Sequence, residues 1–182
     1  MAKVDVGEDF FKLLHPKVTT LIVAVDEQGK PNVMACSWAM PVSEEPPQVA
    51  ISLWRESYTN ELIKKTKEFT VNIPPAKLLK QVWIAGTKSG KKVDKIKLAG
   101  FAPQPSRKVK PPVIAECIAH MECKLSQAVE AGECTLFIGE VVEVYADEEL
   151  FKKGMWSLEK AELLLHAGGK LFITPSGRQL KP

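Results

Sequence analysis

Apolar positions follow two different periods along this chain. Residues 18–25 are nearly continuous in aliphatic and β-branched side chains, the pattern of a buried strand. Asp26, Glu27, Gln28 and Gly29 form a turn signal, with Gly29 free to take a positive φ. Residues 31–39 then read as the return strand of a hairpin, and 49–54 as a third strand. The period changes at Tyr58. Leu62, Ile63 and Thr66 recur at helical spacing with lysines opposite, which predicts a helix over 58–67. A strand over 68–73 stops at Pro74 and Pro75. Helices are expected over 9–15, ended by Pro16, over 77–85, closed by Gly86, and over 94–98, with Gly100 just past the end. Four prolines make 103–112 an extended loop. Two long strands, 113–125 and 134–145, flank a connection through Glu130, Ala131, Gly132 and Glu133. A helical pattern over 158–166 precedes Gly168, Gly169 and a short apolar stretch at 171–173.

Strands at both ends with helices inserted between them predict a mainly β protein, an α+β barrel with helical insertions. The alternating βαβ order of a parallel sheet is missing. The length of 182 residues suits one domain spanning 1–182. Apolar residues make up 45% and charged residues 26%, which leaves disordered and low-complexity classes without support. The net charge of +3 is spread along the chain. It lacks the dense basic stripe of a nucleic-acid binder, so no such partner is expected. Charges occupy the first residues, where a secretory signal needs an apolar stretch. Residues 21–25, the longest aliphatic run of the first half, are too few to span a bilayer. These features predict a cytoplasmic protein with no membrane partner and with its four cysteines as thiols.

Three segments carry candidate chemistry. In the first, Ala35, Cys36, Ser37 and Trp38 end a strand and lead into a loop at 40–43, followed by Pro46 and Pro47. Such a loop offers backbone N–H groups beside small side chains, against which a planar heterocycle can lie. Taken alone it also fits a plain proline-stiffened hairpin. In the second, Arg55, Ser57, Tyr58 and Thr59 precede the amphipathic helix, with Ser57 or Thr59 as its N-cap. Free N–H groups, hydroxyls and a guanidinium suit a phosphate, although simple capping explains the same residues. In the third, Gly86 to Lys95 is a Gly-, Ser- and Lys-rich loop without the GxxxxGK[ST] order of a Walker loop.

The order of these segments resembles the flavin reductase-like FMN-binding split-barrel family, particularly its flavoredoxin-like branch. The resemblance runs through NVMACSWAMPVSEEPPQVAISL (32–53), RESYTNELIKKTKEFTVNIP (55–74), GTKSGKKVDKIKLAG (86–100), IAHMECKL (118–125) and LFIGEVVEVYAD (136–147), and covers roughly residues 10 to 145. It implies a six-stranded Greek-key split barrel that forms a homodimer with FMN near the subunit interface. By position, Asn32, Met34, Ala35, Cys36 and Ser37 would line the isoalloxazine ring, and Val42 and Ser43 would present backbone groups to its edge. Arg55, Ser57, Tyr58 and Thr59 would hold the phosphate, with Lys88, Ser89, Gly90 and Lys95 closing over the phosphate or ribityl chain.

One departure bears on the electron donor. Many NAD(P)H-using members of this family carry Gly-Asp-His where this chain has Gly132, Glu133 and Cys134. NAD(P)H and a redox protein therefore both stand as candidate donors. Cys117, His120, Cys123 and Cys134 look at first like a metal set. On one strand, however, 117 and 123 share a face and 120 points to the other, so no metal is expected. No GxSxG elbow supports a hydrolase. Three readings follow: an FMN-dependent oxidoreductase, an electron carrier, or an FMN-binding module without turnover.

Overall fold

Seven antiparallel strands pair into the main sheet of the computed structural model, which describes residues 1–176. They are β1 (Thr20–Val25), β2 (Pro31–Cys36), β3 (Ala39–Ser43), β4 (Gln48–Trp54), β5 (Glu68–Ile73), β6 (Ala119–Ala131) and β7 (Cys134–Ala146), in the order β2-β1-β5-β6-β7-β4-β3. The sheet curls until its two ends meet. Cys36 Sγ on β2 donates to the Ser52 carbonyl of β4 at 3.9 Å, and Ser52 N donates to the Trp38 carbonyl at 2.9 Å. This is the mainly β barrel with helical insertions expected from the chain. Its seventh strand is β3, a segment expected as loop, which pairs with β4 despite Pro41 because it lies at a sheet edge.

The barrel interior is filled by Ile22, Ile51, Leu53, Phe69, Val71 and Phe137, all nearly inaccessible, with Leu62 and Ile63 of α1 (Tyr58–Thr66) against them. α1 sits where its apolar period demands. Ser57 caps its start and Lys67 ends it in the left-handed conformation. A second cluster forms outside the barrel. There Val82 and Ala85 of α2 (Leu79–Thr87) and Ile96 of α3 (Lys95–Ala99) pack against Leu21, Val23 and Val33. Residues 20–25 are thus buried on both faces, which is why their sequence shows no alternation.

Two expected elements differ. The strand over 113–125 is broken. Val113–Ile114 leaves to pair with Pro103–Gln104, Ala115 to Ile118 turn, and β6 begins at Ala119. The break is held by the Asn72 amide, whose Oδ1 accepts from Ile114 N at 3.0 Å and from His120 Nδ1 at 2.8 Å. The helix over 158–166 shrinks to Leu158–Ala161, and Glu162 turns the chain at φ 42°. Leu165–Gly168 becomes a strand, β8, between Lys17–Val18 and β9 (Leu171–Ile173). The run of leucines at 163–165 fits either period, and the glycines at 168 and 169 supply the hairpin turn at φ 112° and 56°. The expected helix over 9–15 is a 3₁₀ helix, Gly7–Leu14. Among the described residues no helix is long and apolar enough to cross a membrane.

Candidate functional site

β2 runs between two cavities. At its start, Asn32 lines a polar cleft of about 40 Å³ with Lys30, Tyr58, Gly90, Asp94 and Lys95. At its end, Ala35, Cys36 and Ser37 line a larger cavity of about 190 Å³ with Thr19, Trp83, Gly86, His166 and Phe172. Four residue steps along the strand lead from Asn32 to Cys36, roughly 13 Å at the usual rise.

The polar cleft is tightly built. Asn32 is buried because its Nδ2 donates to Thr59 Oγ1, itself buried at the start of α1, at 2.8 Å. The 86–95 loop closes over this pair at Gly90, where no larger residue fits. A Cβ there would stand 2.8 Å from Asn32 Cγ and 2.9 Å from Tyr58 Cδ1. The Glu61 carboxylate ties that loop to α1 by pairing with Lys91 and Lys65, both at 3.1 Å, and these two lysines hold its carboxyl below the usual range. Lys95 is only 5% exposed. Its ammonium donates to the Ala85 carbonyl at 2.9 Å and forms no ion pair with any carboxylate among the described residues. Burial lowers its pKa to about 8. A buried cation with donors to spare is a binding feature for an anion.

The larger cavity combines aromatic walls with the polar side chains of Thr19, Ser37, Thr87 and His166. His166 Nε2 donates to the Gly169 carbonyl at 3.1 Å, so Nδ1 is the acceptor in the neutral ring. That Nδ1 takes the Ser37 hydroxyl proton at 3.2 Å. Phe172 packs on the imidazole at 5.0 Å, and His15 meets it edge-on at 5.1 Å. Thr19 is 3% exposed and its Oγ1 has no hydrogen-bond partner. Burial pushes the Cys36 thiol up to about 11, so it lines the cavity as a neutral group. Burial likewise raises Cys123, to about 12, and Cys117.

The sequence-derived candidates divide accordingly. Asn32, Tyr58, Gly90 and Lys95 meet at the cleft, and Thr59 is bonded to Asn32. Ala35, Cys36 and Ser37 meet at the cavity, and Met34 packs against the barrel core. Ser57 accepts from Asn60 N at 3.3 Å as the α1 cap. Lys88 and Ser89 stay exposed on the loop, where Ser89 Oγ accepts from Lys91 N. Arg55 lines neither cavity and pairs with Glu130 at 3.7 Å. Val42 and Ser43 lie on the edge strand at a bulge and also line neither. Thr19, Trp83, His166 and Phe172 were missed. Thr19, His166 and Phe172 come together through the pairing of Lys17 with His166 and of His166 with Phe172, and Trp83 arrives on α2, none of which a local pattern announces.

Known proteins share this fold. Residues 13–173 match the flavin reductase like domain family. A protein of Archaeoglobus fulgidus is 39% identical over 175 residues, covering 96% of this chain and 97% of that relative. Among solved structures, the flavoredoxin of Desulfovibrio vulgaris (Miyazaki F) is 28% identical, with a TM-score of 0.89 over 99% of this chain and 97% of its own. A flavoredoxin from Methanosarcina acetivorans is also 28% identical, with a TM-score of 0.90 over 100% and 95%. With its barrel, its two cavities and a match over nearly its whole described length, the chain belongs to the flavin reductase like domain family.

Proposed function

We propose that this protein is an FMN-dependent electron-transfer protein or oxidoreductase, built as one flavin-binding domain. It passes electrons from NAD(P)H or a redox partner to a flavin, ferric or protein acceptor. The observation that carries this reading is the pair of cavities joined by β2, one cationic and one aromatic. Their residues fit FMN. Lys95 has ammonium donors left over, Gly90 leaves room only for backbone, and Thr19 holds an orphaned hydroxyl at the other end. Lys95 and Asn32 would hold the phosphate, with Thr59 fixing Asn32 from behind. Ala35, Cys36, Ser37 and Trp83 would border the ring. Bound FMN supplies one- and two-electron chemistry, while the protein sets its access and potential. Arg55, paired with Glu130, has no place in either cavity.

The electron-carrier form is favoured over direct NAD(P)H oxidation by Cys134 at the position of the family histidine, and by the likeness to flavoredoxins. The exposed apolar residues Phe10, Leu13, Leu14, Met40 and Trp54 give a second copy a surface to cover, so a homodimer is expected. Light scattering should give the mass of two chains. The central test is FMN titration followed by flavin fluorescence, then anaerobic mixing of the loaded protein with NADH and NADPH. Tight binding with slow bleaching by either nucleotide, and fast reduction by a redox protein, supports the carrier. Fast bleaching by a nucleotide makes it a reductase. Binding with no reduction by any donor leaves a non-turnover FMN module. No binding ends the proposal.

A further inference from the structure

We infer that Ser37 and His166 form a proton relay at the wall of the larger cavity, a role that rests on the FMN reading above. The geometry is directional. Gly169 fixes one imidazole nitrogen as a donor, so the neutral ring must take the Ser37 proton at the other. Protonation of His166 reverses that bond. Nδ1–H then donates to Ser37 Oγ, and the hydroxyl proton is released toward the cavity that Ser37 lines. Thr19 Oγ1, buried and unpartnered on the same wall, offers a further hydroxyl to a ligand there.

The chemistry balances. Were FMN bound at this wall, a hydride from a reduced donor would supply it two electrons and one proton and leave it with a negative charge. Beside such a ring His166 would take one proton from solvent, with Nδ1–H donating to Ser37 Oγ and the Ser37 hydroxyl turned to donate into the cavity, so that the proton is held next to the charge. With dithionite, the reductant supplies both electrons and water the additional proton. The titratable groups placed against His166 are His15 and Lys17 from the N-terminal segment and Cys36 from the end of β2. No carboxylate pairs with the imidazole among the described residues.

Linkage makes this measurable without turnover. A reduced, negatively charged ring must raise the proton affinity of a histidine coupled to it. The histidine side chains of the FMN-loaded protein are titrated by NMR, oxidised and then dithionite-reduced, with the His166 signal assigned by its loss in His166→Gln. The expected result is a rise in the His166 midpoint by roughly one pH unit or more on reduction. That is a tenfold or larger gain in proton affinity, and it should be cut by more than half in Ser37→Ala. A midpoint unchanged to within about 0.2 units, in a protein that binds and reduces FMN, overturns the relay and leaves the FMN reading intact. A shift retained in full in Ser37→Ala overturns the role of the serine. Failure to take up FMN at all overturns both readings. His166→Asn serves as a second assignment variant should His166→Gln not fold.

Discussion

Replacing Lys95 by Met is expected to weaken FMN binding by about 10- to 100-fold while making the FMN-free protein more stable. Both effects come from one ammonium group. Lys95 is buried with a single acceptor, the Ala85 carbonyl, and no counter-charge. A charge-assisted hydrogen bond to a phosphate contributes about 1.5–3 kcal/mol, which is the predicted loss in affinity. Without the anion the same charge is a liability. A pKa lowered from 10.5 to about 8 corresponds to about 3 kcal/mol of unfavourable burial at neutral pH. Methionine removes that cost and forfeits one hydrogen bond, for a net gain of about 1–2 kcal/mol, or roughly 3–6 °C in melting temperature. The pH dependence has a definite sign. Between about pH 8 and 10.5 the unfolded lysine holds a proton that the folded one has lost, so the stability of the FMN-free protein should rise with pH across that window. FMN affinity should fall over the same rise, because a neutral amine no longer draws the phosphate. In Lys95→Met both slopes should flatten. Calorimetry of the FMN-free protein and fluorescence titration with FMN measure the two effects. Unchanged affinity in Lys95→Met would remove the phosphate from this cleft.

That lysine was legible in the sequence only through its company. The motif order around Asn32, Ser57 to Thr59 and Gly86 to Lys95 names a site, and local rules then place each piece: a capped helix, a two-face-buried strand, a glycine with no space for a side chain. Local rules fail where a residue's role depends on what lies across from it. Arg55 looked like a phosphate ligand beside the α1 cap, but it pairs with Glu130, and Arg55 N donates to the carbonyl of Glu133 just beyond it. Met40 to Ser43 looked like a loop because proline interrupts it, yet an edge strand tolerates proline on its free side. The pattern over 158–166 predicts a helix with His166 at its end. The structure puts His166 in a strand between Phe172 and Lys17, and the pairing with Lys17, some 150 positions away in sequence, is one no periodicity can report. The site's cationic end is thus written locally and its aromatic end by tertiary pairing.

Glu122 shows the same limit in the core and gives the largest stability effect. Its carboxylate is fully buried on β6 and reads in sequence as an ordinary polar strand residue. It accepts from Arg107 N at 2.8 Å, Lys108 N at 2.6 Å and the Tyr145 hydroxyl at 3.1 Å, while the Arg107 guanidinium lies 4.0 Å over the Tyr145 ring. The proline-rich stretch 103–112 has few backbone donors to anchor it, so this one carboxylate does much of the fastening. Burial, followed by the neighbouring carboxylate, pushes the Tyr145 phenol up to about 12, which keeps it a donor throughout the neutral range. Glu122→Ala would leave two amides and a phenol without their acceptor beside a new void. The expected loss is about 3–5 kcal/mol, seen as a fall of roughly 6–20 °C in melting temperature. Glu122→Gln should fall between the two, since it keeps one carbonyl oxygen but turns an NH₂ group toward a donor. Neither change touches the residues of the two cavities, so the folded fraction should bind FMN with its original affinity. A melting temperature within about 2 °C of the parent in Glu122→Ala would mean that the loop holds itself in place, and that the charge was buried for some other reason.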